Sequence, residues 1–206
     1  MPDLPPTRSA TRRTLAPAAT LALIFAVSAV ALVLMGRVWW CACGGLAPWA
    51  GNVWSSHCSQ HLLDPYSLSH TSHGLVFFLV LTVLLRTPLA AAVRATAGWH
   101  VVFAALLAGA WEVLENTPFI IERYRSATMS LDYMGDSVVN ALGDMACCVL
   151  AFVLARRIGP LATLLVFIAS ELVLLWWIRD NLTLNVIMLV WPVEAIRQWQ
   201  VVGAPG

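Results

Sequence analysis

The chain has 206 residues, 60% of them apolar and only 11% charged, with ten Trp, twelve Arg and no Lys. Soluble domains are about 45–50% apolar and about 25% charged, so a disordered chain, a coiled coil and an ordinary cytosolic enzyme are excluded, and a membrane protein is implied. A net charge of +1 leaves no basic excess to neutralise a phosphate backbone, which removes nucleic acid as a partner and leaves the lipid bilayer.

Residues 1–16, rich in Pro and Thr, read as a flexible cytoplasmic tail, followed by a single transmembrane domain over 17–201 and a short tail, 202–206. A bilayer core of about 30 Å requires about 20 apolar residues per spanning helix. Five stretches qualify: Pro17–Met35, Ser69–Leu85, Trp99–Asn116, Tyr133–Ala155 and Pro160–Ile178. A sixth apolar run, Leu182–Val190, stops at Trp191-Pro192 and reads as a short re-entrant or interfacial helix, with Trp191 and Trp199 at headgroup level. A sixth span carrying Glu194 and Arg197 is the alternative. The expected fold is therefore all-α: a polytopic membrane bundle of five spanning helices plus a short C-terminal helix.

Arginine placement orients the bundle. With the N-terminus cytoplasmic, that side collects Arg8, Arg12, Arg13, Arg86, Arg94, Arg156 and Arg157 against one acid, Asp3, while the other side holds five Arg and ten acids. Arg12-Arg13 ahead of an apolar run also resembles a twin-arginine export signal. The run continues to Met35 without a small-residue cleavage site, so the segment reads as an uncleaved first helix.

Polar residues within the spans fall in their outward halves: His70 and His73, then Glu112, Glu115 and Asn116, then Asp136, Asn140 and Asp144, and Glu171. At 100° per residue, Asp136, Asn140 and Asp144 drift 40° per step and form one stripe descending about 12 Å. Antiparallel neighbours would bring all these groups to one level. Five intramembrane carboxyls without arginine partners would each cost several kcal/mol, so they are protonated, matched by His70, His73 and the rim arginines Arg123, Arg125 and Arg179, or bound to a cation.

Three solutions follow. His70 and His73 with Glu112 and Glu115 form a ligand set for a divalent metal, although no H-E-x-x-H pattern is present. The same groups form a partly protonated network that conducts protons or holds helices together. Or they line a pocket for a cationic or phosphorylated amphiphile, with His70, His73, Glu112, Glu115, Asp136 and Asp144 as acid, base or ligand and Asn116, Arg123, Arg125, Asn140 and Arg179 as binding groups. Pro118 either breaks the third helix beside the carboxyls or simply ends it.

The outward connection, 37–68, is Trp-rich and too long for a structureless loop. It carries Cys41-Ala-Cys43 and His57-Cys58-Ser-Gln-His61. Three readings stay open: a disulfide from Cys58 to Cys41 or Cys43, free thiols, or a copper or zinc site of non-standard spacing. Cys147-Cys148, mid-span, read as small apolar residues, and His100 as interfacial.

Several unusual strings occur in order: Met35-Gly-Arg-Val-Trp-Trp-Cys-Ala-Cys-Gly44, Ser55-Ser-His-Cys-Ser-Gln-His61, Ser69-His-Thr-Ser-His-Gly74, Trp111-Glu-Val-Leu-Glu-Asn116, Glu122-Arg-Tyr-Arg-Ser-Ala-Thr128, Asp132-Tyr-Met-Gly-Asp-Ser137 and Arg179-Asp-Asn-Leu-Thr-Leu-Asn185. Over about Val33 to Gln200 the chain closely resembles the uncharacterised protein family 0314, also called domain of unknown function 2585. The resemblance implies a bacterial multi-pass inner-membrane protein without an established activity. In that family Asn is usual where this chain has Cys58, which weakens a shared role for that thiol. More remotely, the histidine, the Glu pair and the Gly135-Asp-x-x-x-Asn-x-x-x-Asp144 segment resemble VanZ-like membrane proteins.

Three functions are consistent with these residues: an intramembrane enzyme or lipid-handling protein opening to the periplasmic leaflet, a proton or solute carrier, and a non-catalytic partner or assembly subunit. The apolar cytoplasmic half-helices speak against the carrier, because alternating access needs polar passage through both leaflets. Substrate, protein partners and cofactor are not specified, a divalent metal being compatible with the ligand set.

Overall fold

The computed structural model describes residues 8–87, 97–130 and 132–202; Arg94 and the outermost residues of both expected tails lie outside them. Among the described residues the chain forms eight helices: α1 (Arg8–Leu34), α2 (Tyr66–Leu84), α3 (Ala97–Glu115), α4 (Pro118–Ala127), α5 (Val138–Ile158), α6 (Pro160–Ile178), α7 (Leu182–Val190) and α8 (Glu194–Val201). Four are long and apolar enough to cross a membrane: α1 over Ala16–Leu34, α2, α5 and α6. The expected fifth, α3, is 19 residues long and ends in Glu112-Val-Leu-Glu115.

Local chemistry sets the boundaries. Pro118 breaks the helical run beside the carboxyls, one of the two readings: α3 ends at Glu115 and α4 begins at Pro118. It occupies the first turn of α4, where a missing N–H is harmless, and Thr117 caps that helix by accepting from Ile120 N–H. Ser137, in extended conformation, accepts from Asn140 N–H and starts α5 there. The expected span Tyr133–Ala155 is thereby corrected: Asp136 precedes the helix, and the stripe shrinks to Asn140 and Asp144. Gly159 and Pro160 separate α5 from α6.

The C-terminal run divides at Trp191–Val193 into α7 and α8. At 1.5 Å per residue the nine-residue α7 rises about 14 Å, half a bilayer core, so it makes no sixth span. Glu194 and Arg197 pair on the exposed α8 through two hydrogen bonds of 2.9 and 3.0 Å.

Packing is led by α2 against α5 and α6, α1 against α3, and α3 against α5. The buried contacts form small clusters: Leu75 with Ala151 and Ala155, Leu81 with Ala104 and Phe152, Ala108 with Met145 and Cys148, and Leu32 with Val138 and Ala141. Small residues set these distances, as expected where lipid removes the hydrophobic drive between helices. A Cβ on Gly74 would lie 2.1 Å from the Cys148 carbonyl oxygen, so α2 and α5 touch backbone to backbone there. Ser72 and Ser170 join α2 to α6 by a 2.9 Å hydroxyl contact. Large apolar side chains on α6, including Leu161, Leu165, Leu172 and Trp176, stay exposed on the face left for lipid.

The connection between α1 and α2 is ordered against α5. Ser137, Val138 and Val139 donate their backbone N–H groups to the carbonyls of Ser59, Val38 and Trp39, at 2.8, 2.9 and 3.3 Å. Both arms of the loop thus satisfy the donors at the start of α5 that a helix leaves unpaired. Trp49 of the same loop stacks on Trp177 at the end of α6, with ring centroids 6.0 Å apart.

Candidate functional site

At the end of the bundle where α2 and α5 begin and α3 stops, a cavity of about 530 Å³, its open mouth included, is lined by residues of the loop and of α2, α3, α4, α5 and α7. His70 projects into it from the second turn of α2. Its Nδ1 lies 3.0 Å from Glu112 Oε1 and its Nε2 3.8 Å from Asp144 Oδ2, so one imidazole sits between carboxyls of α3 and α5. Glu112 is fully buried, yet among the described residues neither of its oxygens has a well-directed hydrogen bond, nor have Asp144 Oδ1, Glu115 Oε2 and His73 Nδ1. Buried polar atoms are almost always satisfied, and these five are exceptions among the described residues.

One ligand atom each from His70, Glu112 and Glu115 lies within 4.8 Å of the others. They are three of the four residues expected to hold a metal. His73 is not among them: its ring leans on His70, Phe77 and Trp111, with centroids 5.2, 6.0 and 5.9 Å away.

Asp136 reaches the cavity from the loop before α5, where Gly135 (φ +90°) turns the backbone. Asn116 Nδ2 donates to Asp136 Oδ2, and Asp136 N–H donates to Asn116 Oδ1, both at 2.7 Å. Tyr133 Oη donates to the same carboxyl at 3.0 Å. The guanidinium of Arg37 reaches the Met134 carbonyl and braces this turn.

The family model described as "Protein of unknown function (DUF2585)" matches residues 32–202. The chain belongs to the DUF2585 family. Curated relatives carry the name UPF0314 protein. That of Paracoccus denitrificans is 45% identical over 178 residues, 86% of this chain and 89% of its own length. That of Sphingopyxis alaskensis is 45% identical over 187 residues, covering 88% and 93%, and one from Rhizobium etli is 47% identical over 172 residues, covering 83% and 84%. No solved structure matches the chain. The stretch matched by the DUF2585 model begins in the last turn of α1 and includes every cavity residue named above.

Other expected site residues lie elsewhere or do other work. Glu171 caps α7: its carboxylate accepts from Leu182 N–H, Thr183 N–H and Thr183 Oγ1, at 3.2, 2.9 and 2.7 Å. Arg123 donates to the Leu189 carbonyl at the end of α7, and Arg179 to the Trp199 carbonyl, with its guanidinium over the Trp199 ring. Neither these two nor Arg125 lines the cavity. Asn140 is buried on α5 and is not among the residues that line the cavity, both ends of its amide lacking a partner among the described residues.

Of the three readings open for the loop cysteines, the disulfide from Cys58 is not the arrangement seen here. All five cysteines are free, and the Cys58 thiol is directed at Asp64 Oδ2, 3.8 Å away, rather than at Cys41 or Cys43. Burial pushes the Asp64 carboxyl above its ordinary range, while its two oxygens accept from the N–H groups of Ser59, Tyr66 and Ser67 and tie the loop to the start of α2.

All three tyrosines of the chain line the cavity, and sequence reasoning missed each of them. Besides Tyr133, Tyr124 Oη donates to Asn185 Oδ1 at 2.9 Å and Tyr66 Oη to Asp180 Oδ2 at 3.4 Å. Their scarcity was the available signal: three phenols in an apolar chain, each within two residues of an acid, Asp64, Glu122 and Asp132.

Proposed function

We propose that this DUF2585 protein is a multi-pass protein of the bacterial inner membrane, with a cytoplasmic N-terminus and α1, α2, α3, α5 and α6 crossing the bilayer. In this reading His70, flanked by Glu112 and Asp144, serves as acid or base on a lipid-like or amphiphilic substrate entering from the periplasmic leaflet. The observation that carries the reading is the imidazole held between two carboxyls beside a cavity with no arginine among the described residues that line it. Histidine changes charge near neutral pH, and a group bracketed by two carboxyls can take a proton from one side and return it to the other. Ionisable groups at membrane depth are costly to keep and mark functional sites more often than helix contacts. Arg86, Arg156 and Arg157, at the far ends of α2 and α5, support the orientation. The three phenols and Trp111 supply the mixed polar and aromatic wall that amphiphile headgroups fit.

A second reading, a non-catalytic subunit with a structural polar network, is favoured by the close pairing of Asn116 with Asp136, which leaves that carboxyl fully engaged. One experiment separates the two. The chromosomal copy is replaced by His70→Gln, and envelope lipids and amphiphiles are compared by mass spectrometry with the wild-type and deletion strains. The catalytic reading expects His70→Gln to reproduce the deletion profile while protein level and unfolding midpoint stay at wild-type values. Loss of stability and abundance without any separate change in lipids would establish the structural reading instead.

A further inference from the structure

A second group of side chains lies outside the cavity, in the connection between α1 and α2. Cys41 Sγ is 3.4 Å from His57 Nδ1, Cys43 Sγ is 3.7 Å from His61 Nε2, and His61 Nε2 is 3.5 Å from His57 Nδ1. All four ligand atoms lie within 4.8 Å of one another. A zinc ion with Zn–S of about 2.3 Å and Zn–N of about 2.0–2.1 Å at tetrahedral angles has ligand edges of about 3.5 Å between S and N and about 3.4 Å between two N. The three observed edges fall on those values to within about 0.2 Å.

We propose that Cys41, Cys43, His57 and His61 bind one zinc ion, which clamps the two arms of the α1–α2 loop over the start of α5. The surroundings suit that role. His61 engages the Ala47 carbonyl through Nδ1, which places the proton there and leaves Nε2 as the metal-facing lone pair. Cys43 N–H donates to Cys41 Sγ at 3.3 Å and Gly45 N–H to Cys43 Sγ at 3.4 Å, and such bonds stabilise thiolates. Binding releases one proton from each thiol to water, while the imidazoles bind neutral, so two thiolates balance the dication and the site carries no net charge. Four protein ligands leave no open position, the arrangement of a structural rather than a catalytic zinc.

The ligands straddle the α5 cap. Cys41 and Cys43 follow Val38 and Trp39, and His57 and His61 flank Ser59, the three residues whose carbonyls receive the N–H groups of α5. Gln60, between the histidines, also donates to the Gly135 carbonyl, next to Asp136. The metal therefore joins the two arms that hold this end of α5 and one wall of the cavity.

The test uses the full chain, purified in detergent under reducing conditions and titrated with zinc after chelation. Elemental analysis is expected to give one zinc per chain, and zinc to shield Cys41 and Cys43 from maleimide. Cobalt substitution is expected to give the intense visible bands of a tetrahedral thiolate site. Cys43→Ser and His61→Ala lose the metal, while Cys58→Ser keeps it. Chelation lowers the unfolding midpoint of the wild type and leaves that of Cys43→Ser unmoved. The wild-type stoichiometry, shielding and cobalt spectrum decide the matter even where a variant fails to fold. The proposal is overturned by less than half an equivalent of zinc, by equal maleimide labelling with and without zinc, by copper in zinc's place, or by a Cys41–Cys43 disulfide in protein isolated from cells with thiols trapped.

Discussion

Replacing Asn116 by Ala removes a side chain that grips Asp136 at two points, its carboxyl and its backbone N–H, and also donates to the Glu112 carbonyl at 3.0 Å. Tyr133 still serves the carboxyl after the substitution, but the Asp136 N–H loses its acceptor in a fully buried setting. An unsatisfied buried donor costs about 1–3 kcal/mol and a lost hydrogen bond to a charged group about 1.5–3 kcal/mol. With Tyr133 offsetting part of the second, the expected loss is about 2–4 kcal/mol. Ordinary polar contacts between membrane helices average about 0.6 kcal/mol, so the two accounts differ several-fold. The measurement is reversible unfolding in mixed micelles followed by circular dichroism for the wild type, Asn116→Ala, Asp136→Ala and the double variant. The cycle should return a coupling of at least about 1.5 kcal/mol. A loss below about 1 kcal/mol for Asn116→Ala, or additivity within about 0.5 kcal/mol, would refute the reasoning.

Three further outcomes are expected. Gly74→Ala places a methyl 2.1 Å from the Cys148 carbonyl oxygen; since backbone cannot retreat cheaply, the variant should lose about 2 kcal/mol or more and elute from size exclusion as aggregate, whereas wild-type-like behaviour would mean that α2 and α5 are not in backbone contact. Glu171→Ala removes the acceptor of the first two α7 N–H groups, worth about 1 kcal/mol, while Asn181 still caps Leu184 N–H, and hydrogen exchange should rise over 182–190 while α2 stays protected; uniform exchange across the chain would contradict a local role. Asp180 lies between α6 and α7, and burial raises its carboxyl to about 7. The folded chain therefore holds this proton longer than the unfolded chain, and stability falls as pH rises from about 4 to about 7, by at most about 1.4 kcal/mol per unit, and levels off above. Asp180→Asn should gain on the wild type across that window in unfolding midpoints, and a pH-independent difference would remove the argument.

What was legible in sequence is what depends on near neighbours along the chain. Pro160 and Ile178 bound α6 as expected, because Gly-Pro starts a helix and the apolar run defines its length. Membership of the family followed from strings such as Ser69–Gly74 read in order. The level shared by His70, Glu112 and Asp144 followed from antiparallel order, which fixes depth without fixing partners. Failures arose where one side chain had two available uses. Ser137 served as a cap and so cut Asp136 off its stripe. Glu171, read with the intramembrane acids, turned inward to cap α7, and the rim arginines Arg123 and Arg179 found carbonyls instead of the cavity. Cys58 differs again, since a neighbour six residues on, Asp64, captured its thiol. None of these choices is written in periodicity, because each depends on which backbone groups tertiary packing leaves unpaired.

The carbonyls of Val38, Trp39 and Ser59 that cap α5 also impose a timetable. Val139 is made about a hundred residues after Trp39, and at 5–20 residues per second that interval is about 5–20 s. During it α2 and α3 emerge, while the loop waits on its side of the membrane without the helix end it will grip. A chain stalled before Ser137 therefore presents an unfinished loop, with its thiols open and without the helix end that the carbonyls of Val38, Trp39 and Ser59 grip.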